Sequence, residues 1–405
     1  MSKSRTLSVI GVLVLSTLVY AEMDWTLVTG AAPWSPRHCL GSVVFDNRMW
    51  ILGVEGFGNT VSNDVWCSAD GDSWTEVTPS AAWPVRFKHT VLAFDNRMWV
   101  LGGADTVNFY NDVWYSADGD RWTQATPAAG WTVRKAHGSA VFNDRMWVLG
   151  GMSGSTPKND VWWSTTGDTW ELATAHAGWS PRVNFATVVF HDTIWIMGGT
   201  AAGAQVNEVW CSADGADWTQ VTPAAAWPAR RGHAVLVLND TLWLLGGNNG
   251  AFNYNDVWYS LNGADWTEAT DSAAWFPRWN HAVFAFDNRL WLMGGWDQVH
   301  VYNDVWYSTG LTGLSAAPVV AAREQPIHVS PNPFSTAVSL RPSADSPAGV
   351  RIHDSSGRLV RTIRAVGSCV WDGRDQQGQK VPPGVYLLLL ETERGLATAQ
   401  VTKCR

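Results

Sequence analysis

The sequence predicts an all-β protein in which six four-stranded units stack on one another, as a propeller or an array, and a small β-sandwich follows. Three observations predict it. A tryptophan-rich phrase returns at a fixed interval, each interval divides into short strands with no helical period, and the pattern changes abruptly after residue 310. The phrase is "NDVWYSADGDRW" at residues 111–122; Asn63, Asn111, Asn159, Asn207, Asn255 and Asn303 each open a version of it, 48 residues apart. A unit of that length cannot bury the faces of its own sheet, so it must stack on its neighbours.

The first residues stand outside this pattern. Lys3 and Arg5 precede the apolar run "LSVIGVLVLSTLVY", and Val19 and Ala21 are small residues at the two positions a signal peptidase reads. Residues 1–21 are therefore expected to be a signal peptide, cleaved between Ala21 and Glu22. The run is shorter than the ~20 apolar residues of a spanning helix, and no later stretch could cross a bilayer. The mature protein is expected to be secreted or cell-surface, without a transmembrane anchor.

Each unit reads as four strands. In the second copy, "HTVLAF" and "MWVLGG" are joined by Asp95-Asn96, a pair suited to a tight hairpin with left-handed backbone angles. "DVWYS" and "WTQAT" supply the other two strands. Four tryptophan positions recur in every copy and account for 24 of the 28; only Trp163, Trp279, Trp296 and Trp371 stand off that lattice. A flat ring of ~200 Å² buries much area at little entropic cost, so the lattice tryptophans read as filling between packed sheets. The Asn-Asp pair of "NDVW" reads as a turn cap.

"WTVRKAHGSAVFNDRMWVLGG" at residues 131–151, followed by "NDVW" and a late tryptophan, resembles the kelch repeat, with an Arg before strand one, Gly-Gly after strand two and a Trp in strand four. Six copies between residues 24 and 309 carry the pattern. Gly53-Val54 replaces the double glycine in the first, and Leu40 and Phe185 replace a recurring His. The resemblance implies a six-bladed kelch-type β-propeller over residues 22–310. "DWTLVT" at 24–29 is a lone fourth strand, and the last copy stops after its third. The N-terminal strand is therefore expected to complete the last blade and remove an exposed sheet edge.

After a linker at 311–326, residues 327–405 follow a different grammar. "PNPF" at 331–334, "VRIHDSSGRLVRTI" at 350–363 and "VWDGRDQQGQKVPPGVYLLLLE" at 370–391 alternate strands with Asp-Gly and Pro-Gly turns. The set resembles the Ig-like C-terminal domains related to FlgD and to the sorting domains of bacterial type IX secretion, which implies a role with the secretion machinery or the cell envelope.

Charge excludes one class of partner. Residues 22–315 hold 15 basic and 29 acidic residues, a net −14, whereas residues 316–405 hold 11 and 7, a net +4. Phosphate affinity comes from neutralisation by Lys and Arg, so no nucleic acid is expected. The five cysteines Cys39, Cys67, Cys211, Cys369 and Cys404 form no CxxC or zinc-spaced cluster, and no metal or cofactor is expected. Disulfides are expected between Cys369 and Cys404 and, more weakly, between Cys39 and Cys67.

The function expected is non-catalytic binding of a glycan or a protein surface. The resemblance implies that the face carrying the strand two-to-three and four-to-one loops holds the site, and that the Arg before strand one points into it: Arg37, Arg86, Arg134, Arg182, Arg230 and Arg278. Sixfold repetition argues instead that these arginines are structural, as it does for His89, His137, His233 and His281. Residues that break the repeat are the better candidates for specificity: Arg231, Trp279, Trp296, Asn249 and His300, with Lys135 and Asn184. Trp279 and Trp296 read as an aromatic platform for stacking. The alternative is a hydrolase or lyase using the loop carboxylates Glu55, Asp105 and Asp297.

Overall fold

The computed structural model describes residues 23–309, apart from 57 and 59, and stretches of the C-terminal part from 328 to 403. The expected signal peptide, its cleavage site, the linker, the "PNPF" motif and Cys404 lie outside the described residues. The chain divides into two compact units, one on each side of residue 313.

Residues 24–309 form six four-stranded antiparallel sheets, one per repeat. In the second sheet the strands are Thr90–Phe94, Arg97–Ala104, Phe109–Ser116 and Thr123–Thr126. The hairpin at Asp95-Asn96 holds both residues left-handed, with φ 49° and 53°, which matches the twist of the flanking strands. The same pair of angles recurs at the corresponding turn of every sheet, from Asp46-Asn47 to Asp287-Asn288. Only the fourth repeat adds to the pattern: Arg182–Val183, Thr200–Ala201 and Ala204–Gln205 form a separate small sheet beside its four strands.

The N-terminal strand completes the last sheet. Asp24–Thr29 pairs antiparallel with Val305–Thr309, next to Arg289–Met293 and Ala282–Phe286. Adjacent first strands touch in sequence, and Ala282–Phe286 returns to touch Gly41–Phe45. A second feature makes the same circuit: Lys88 donates its backbone N–H to the Cys39 carbonyl, Ala136 to Lys88, Asn184 to Ala136, Gly232 to Asn184, Asn280 to Gly232 and Cys39 to Asn280, at 2.8 to 3.2 Å. All six residues have φ between 52° and 59°. This collar of hydrogen bonds ends where it began, so the sheets surround one axis.

The tryptophans lock neighbouring sheets together in two ways. Trp34 meets Trp74 edge-on at 5.9 Å and 83°, and equivalent pairs continue round to Trp25 with Trp275 at 5.8 Å and 84°. Trp50, Trp99, Trp147, Trp195 and Trp291 each lie against the glycine of the next sheet's three-to-four turn. At Gly71, with φ 79°, an added Cβ would fall 2.0 Å from the Trp291 ring. That turn belongs to "SADGDSW", where Ser68 Oγ and Asp70 Oδ1 accept backbone N–H groups. "NDVW" does more than cap a turn. Asn63 Nδ2 donates to the carbonyls of Ala81 and Trp83, and Trp66 Nε1 donates to Asp64 at 2.7 Å.

Deleting residues 22–30 is expected to expose the edge of Val305–Thr309 and to strip Trp25 from Trp275. Loss of one buried tryptophan alone costs about 3–5 kcal/mol, or roughly 10 °C in melting temperature for a domain of this size. Calorimetry on the truncated chain checks this; an unchanged melt contradicts closure by this strand.

The C-terminal unit is a two-sheet sandwich. His328–Ser330, Val338–Arg341 and Cys369–Trp371 form one sheet; Leu359–Val366, Pro347–Asp354, Gly384–Thr392 and Gly395–Lys403 form the other, in those orders. Its core includes Val338, Val350, Ile352, Trp371, Tyr386, Leu388 and Val401. Trp371 packs edge-on against Tyr386 at 5.0 Å and donates to the Arg374 carbonyl. Among the described residues no helix is long and apolar enough to cross a membrane.

The weaker disulfide expectation is corrected. Cys39 and Cys67 are both buried free thiols. Cys39 sits in the collar at the axis beside Asn280, whereas Cys67 fills the place opposite Trp50 that Tyr115 takes opposite Trp99. Cys369 is half-buried, and its expected partner, Cys404, lies outside the described residues.

Candidate functional site on the axial face

Antiparallel order places the two-to-three loops and the four-to-one connections at one end of every strand, and the one-to-two hairpins at the other. The first end carries the arginine repeat. All six arginines are wholly buried. Arg86 reaches the Asp112 carboxylate with both terminal nitrogens, at 2.8 and 2.9 Å, and gives a further bond to the Gly102 carbonyl. Arg37 meets Asp64, Arg134 Asp160, Arg230 Asp256 and Arg278 Asp304 in the same way, while Arg182 meets Glu208 through one bond. Tyr110, Tyr254 and Tyr302 stack on Arg86, Arg230 and Arg278. Burial alone would raise the Asp64 carboxyl, but the Arg37 charge and hydrogen bonds hold it below the usual range. The expectation that Arg86, Arg134, Arg182, Arg230 and Arg278 contact ligand is therefore corrected: a permanently charged guanidinium out of reach of water needs its carboxylate, and the Asp of "NDVW", or Glu208 in the case of Arg182, supplies it.

The histidine repeat is internal too. His89, His137, His233 and His281 are buried against Trp83, Trp131, Trp227 and Trp275. Burial first, and then the neighbouring arginine charge, push each imidazole down to about 3.

What differs between repeats gathers near the axis. The residue after each arginine faces a residue 17 positions later across a short antiparallel bridge: His38 with Glu55, Phe87 with Ala104, Lys135 with Met152, Val183 with Thr200, Arg231 with Asn248 and Trp279 with Trp296. Arg231 lies over Trp279 at 4.8 Å, Trp279 stacks on Trp296 at 5.5 Å, and Trp296 stacks on His38 at 5.2 Å. Four side chains from three repeats thus form one column. Trp279 is buried, so the open platform expected there is corrected. Trp296 is half-buried, with its ring already stacked on two neighbours. Lys135 reaches between Phe87 and Phe109, 4.9 and 4.7 Å from their ring centres.

Beside this column a cavity of about 250 Å³ opens, lined by His38, Cys39, Glu55, Lys88, Trp279, Asn280, Trp296 and Gln298 among others. A shallower one follows the axis past Lys88, Asn184 and Asn280. Arg231, Trp279, Trp296, Lys135 and Asn184, read from the sequence as candidates for specificity, all lie on this face near the axis. Sequence reasoning missed His38, Cys39 and Lys88.

Asn249 and His300 have local roles. Asn249 Oδ1 accepts the N–H groups of Ala251 and Phe252, and its amide donates to Tyr254. His300 is exposed and leans on Asp297 at 3.1 Å. Asp105 and Asp297 build equivalent loops: partial burial favours the protonated acid, but bonds from Tyr110 or Tyr302 and from backbone N–H groups hold each carboxyl down at about 2. A carboxylate so tightly held is unsuited to donating a proton near neutrality.

Large apolar side chains also concentrate on this face. Of the eight exposed ones in the described propeller residues, Val107, Phe252 and Val299 tip two-to-three loops, and Val133 and Phe276 lie in four-to-one connections.

Residues 69–247 match the family model described as the KLHDC2/KLHL20/DRC7 Kelch-repeats domain, and residues 330–395 match the FlgD Ig-like domain. No curated protein matches the chain significantly.

Proposed function

We propose that this chain, a kelch-repeat propeller followed by a FlgD-type Ig-like domain, is an exported, non-catalytic protein that docks a partner protein on its axial face. The observation that carries this reading is a set of five exposed apolar loop residues on one face, Val107, Val133, Phe252, Phe276 and Val299, together with a cavity on that face lined by charged and aromatic side chains. Apolar surface gathered on one face with charged and aromatic groups at its centre is the composition of a protein interface. Kelch-repeat domains are in general binding scaffolds. A glycan is the weaker ligand, since Trp279 and Trp296 use their ring faces on each other and on their neighbours.

The acid and base a glycosidase needs are also lacking in support: two of the three loop carboxylates are engaged in turns. The Ig-like domain serves secretion or attachment in this reading. Fusing residues 316–405 to an unrelated reporter tests that part, with surface delivery expected and retention in the periplasm the contrary result.

The binding reading is tested by selecting a displayed peptide library on the full chain, alongside a polysaccharide and glycoprotein panel scored for retention and for released reducing ends. Lys88→Asn is the informative variant, because Asn184 and Asn280 already occupy equivalent collar positions and Asn tolerates the left-handed backbone better than Lys. Selected peptides are expected to lose at least tenfold in affinity for it, with no release from any polysaccharide. Reducing ends in the wells would instead support the hydrolase or lyase alternative.

A further inference from the structure

We infer that His38, Cys39 and Glu55 form a binding site for a thiophilic divalent cation of the zinc class. This goes beyond the docking reading and stands without it. His38 Nδ1 lies 3.0 Å from Cys39 Sγ and 3.8 Å from Glu55 Oε2, and the three donor atoms all fall within 4.8 Å of one another. Zinc at about 2.3 Å from sulfur and about 2.0–2.1 Å from nitrogen and oxygen separates tetrahedral ligands by about 3.4–3.7 Å. Shifts of about 1 Å or less convert the present arrangement into a coordination shell.

The fold holds each donor in place. His38 and Glu55 exchange backbone hydrogen bonds at 3.0 and 3.1 Å, so the bridge register fixes their side chains together. Cys39 is clamped in the collar, where its N–H donates to Asn280 and its carbonyl accepts from Lys88. Asn280 Nδ2 also lies 3.0 Å from Cys39 Sγ, a supporting contact of the kind that orients metal ligands. The His38 ring is fixed against Trp296.

The charges balance as well. Burial lowers the His38 imidazole and favours its neutral, ligating form. Burial raises the Cys39 thiol, and a bound cation reverses this by taking the thiolate. One thiolate and one carboxylate then neutralise a divalent ion, with one proton released from Cys39. Since all three donors line the axial cavity, the fourth coordination position faces it. Lys88, on the same wall, adds positive charge and selects an anionic donor there.

Cobalt(II) titration of the full chain, stripped with a chelator and kept reduced, tests the site. One equivalent is expected to give a thiolate-to-cobalt charge-transfer band that zinc displaces. Cys39→Ser is expected to abolish the band, Cys211→Ser to leave it intact, and Glu55→Gln to weaken cobalt binding at least tenfold. Absence of the band from the unaltered protein, its persistence in Cys39→Ser, or unchanged affinity in Glu55→Gln overturns the assignment. Because the metal alone is the probe, the result is independent of whether a protein partner binds.

Discussion

Lowering the pH from 6.5 towards 4.5 is expected to destabilise the propeller steeply. His89, His137, His233 and His281 have imidazoles pushed down to about 3 in the folded protein, against about 6.5 in the unfolded chain. Between those values the unfolded chain binds more protons than the folded one, so stability falls as pH falls. Above pH 6.5 both states are neutral at these positions and the effect vanishes. Each histidine contributes about 1.4 kcal/mol per pH unit inside the window, and four contribute roughly 5. His38, lowered by burial, acts in the same direction. The depressed carboxylates act from about pH 5 downwards, so the slope of the denaturant-unfolding free energy between pH 6.5 and 5 belongs chiefly to the histidines. His89→Leu and His137→Phe install residues that Leu40 and Phe185 already provide at the same repeat position, and each is expected to remove about a quarter of the slope. A double variant with the slope of the unaltered protein would show that the imidazoles are not the cause.

Asp256→Ala is expected to cost about 3–5 kcal/mol. Arg230 is wholly buried, and Asp256 meets its two terminal nitrogens at 2.6 and 2.7 Å while accepting the Trp258 indole N–H at 2.8 Å. Alanine leaves the guanidinium with only the Gly246 and Pro228 carbonyls. An uncompensated buried charge is the reason for the size of the effect; the pair itself is not a large net gain over apolar packing. Arg230→Met combined with Asp256→Leu is therefore expected to recover most of the loss. Urea unfolding of the single and double variants checks both statements. A single variant within 1 kcal/mol of the unaltered protein contradicts the burial argument.

Much of this architecture is legible in the sequence because the repeat exposes it. Asp95-Asn96 announces a primed hairpin and adopts one; "DWTLVT" lacks partners in its own repeat and finds them in Val305–Thr309. The arginines show where reading becomes harder. Arg86 and Asp112 stand 26 residues apart in a pattern that recurs, yet composition does not say whether a repeated cation faces water or a carboxylate. Trp279 and Trp296 were visible as departures from the lattice, but their burial depends on Arg231 and His38 from other repeats closing over them. Glu55 is legible as a loop carboxylate and Cys39 as a thiol, but their meeting with His38 is not, because nothing about His38 is unusual alone. The 17-residue spacing that pairs Trp279 with Trp296 also pairs His38 with Glu55, and aligning the repeats on that spacing is the signal that finds them.

The central claim is that repeated residues build the ring and that departures from the repeat, gathered at the axial face, do the binding. The most direct test compares retention of the library-selected peptide by the unaltered chain, by Lys88→Asn and by Asp240→Ala, whose side chain is paired with His191 at 2.8 Å on the hairpins of the opposite face. With melting temperatures matched, retention is expected to fall at least tenfold for Lys88→Asn and to stay unchanged for Asp240→Ala. Equal retention by all three, or loss only with Asp240→Ala, would place binding elsewhere and contradict the account.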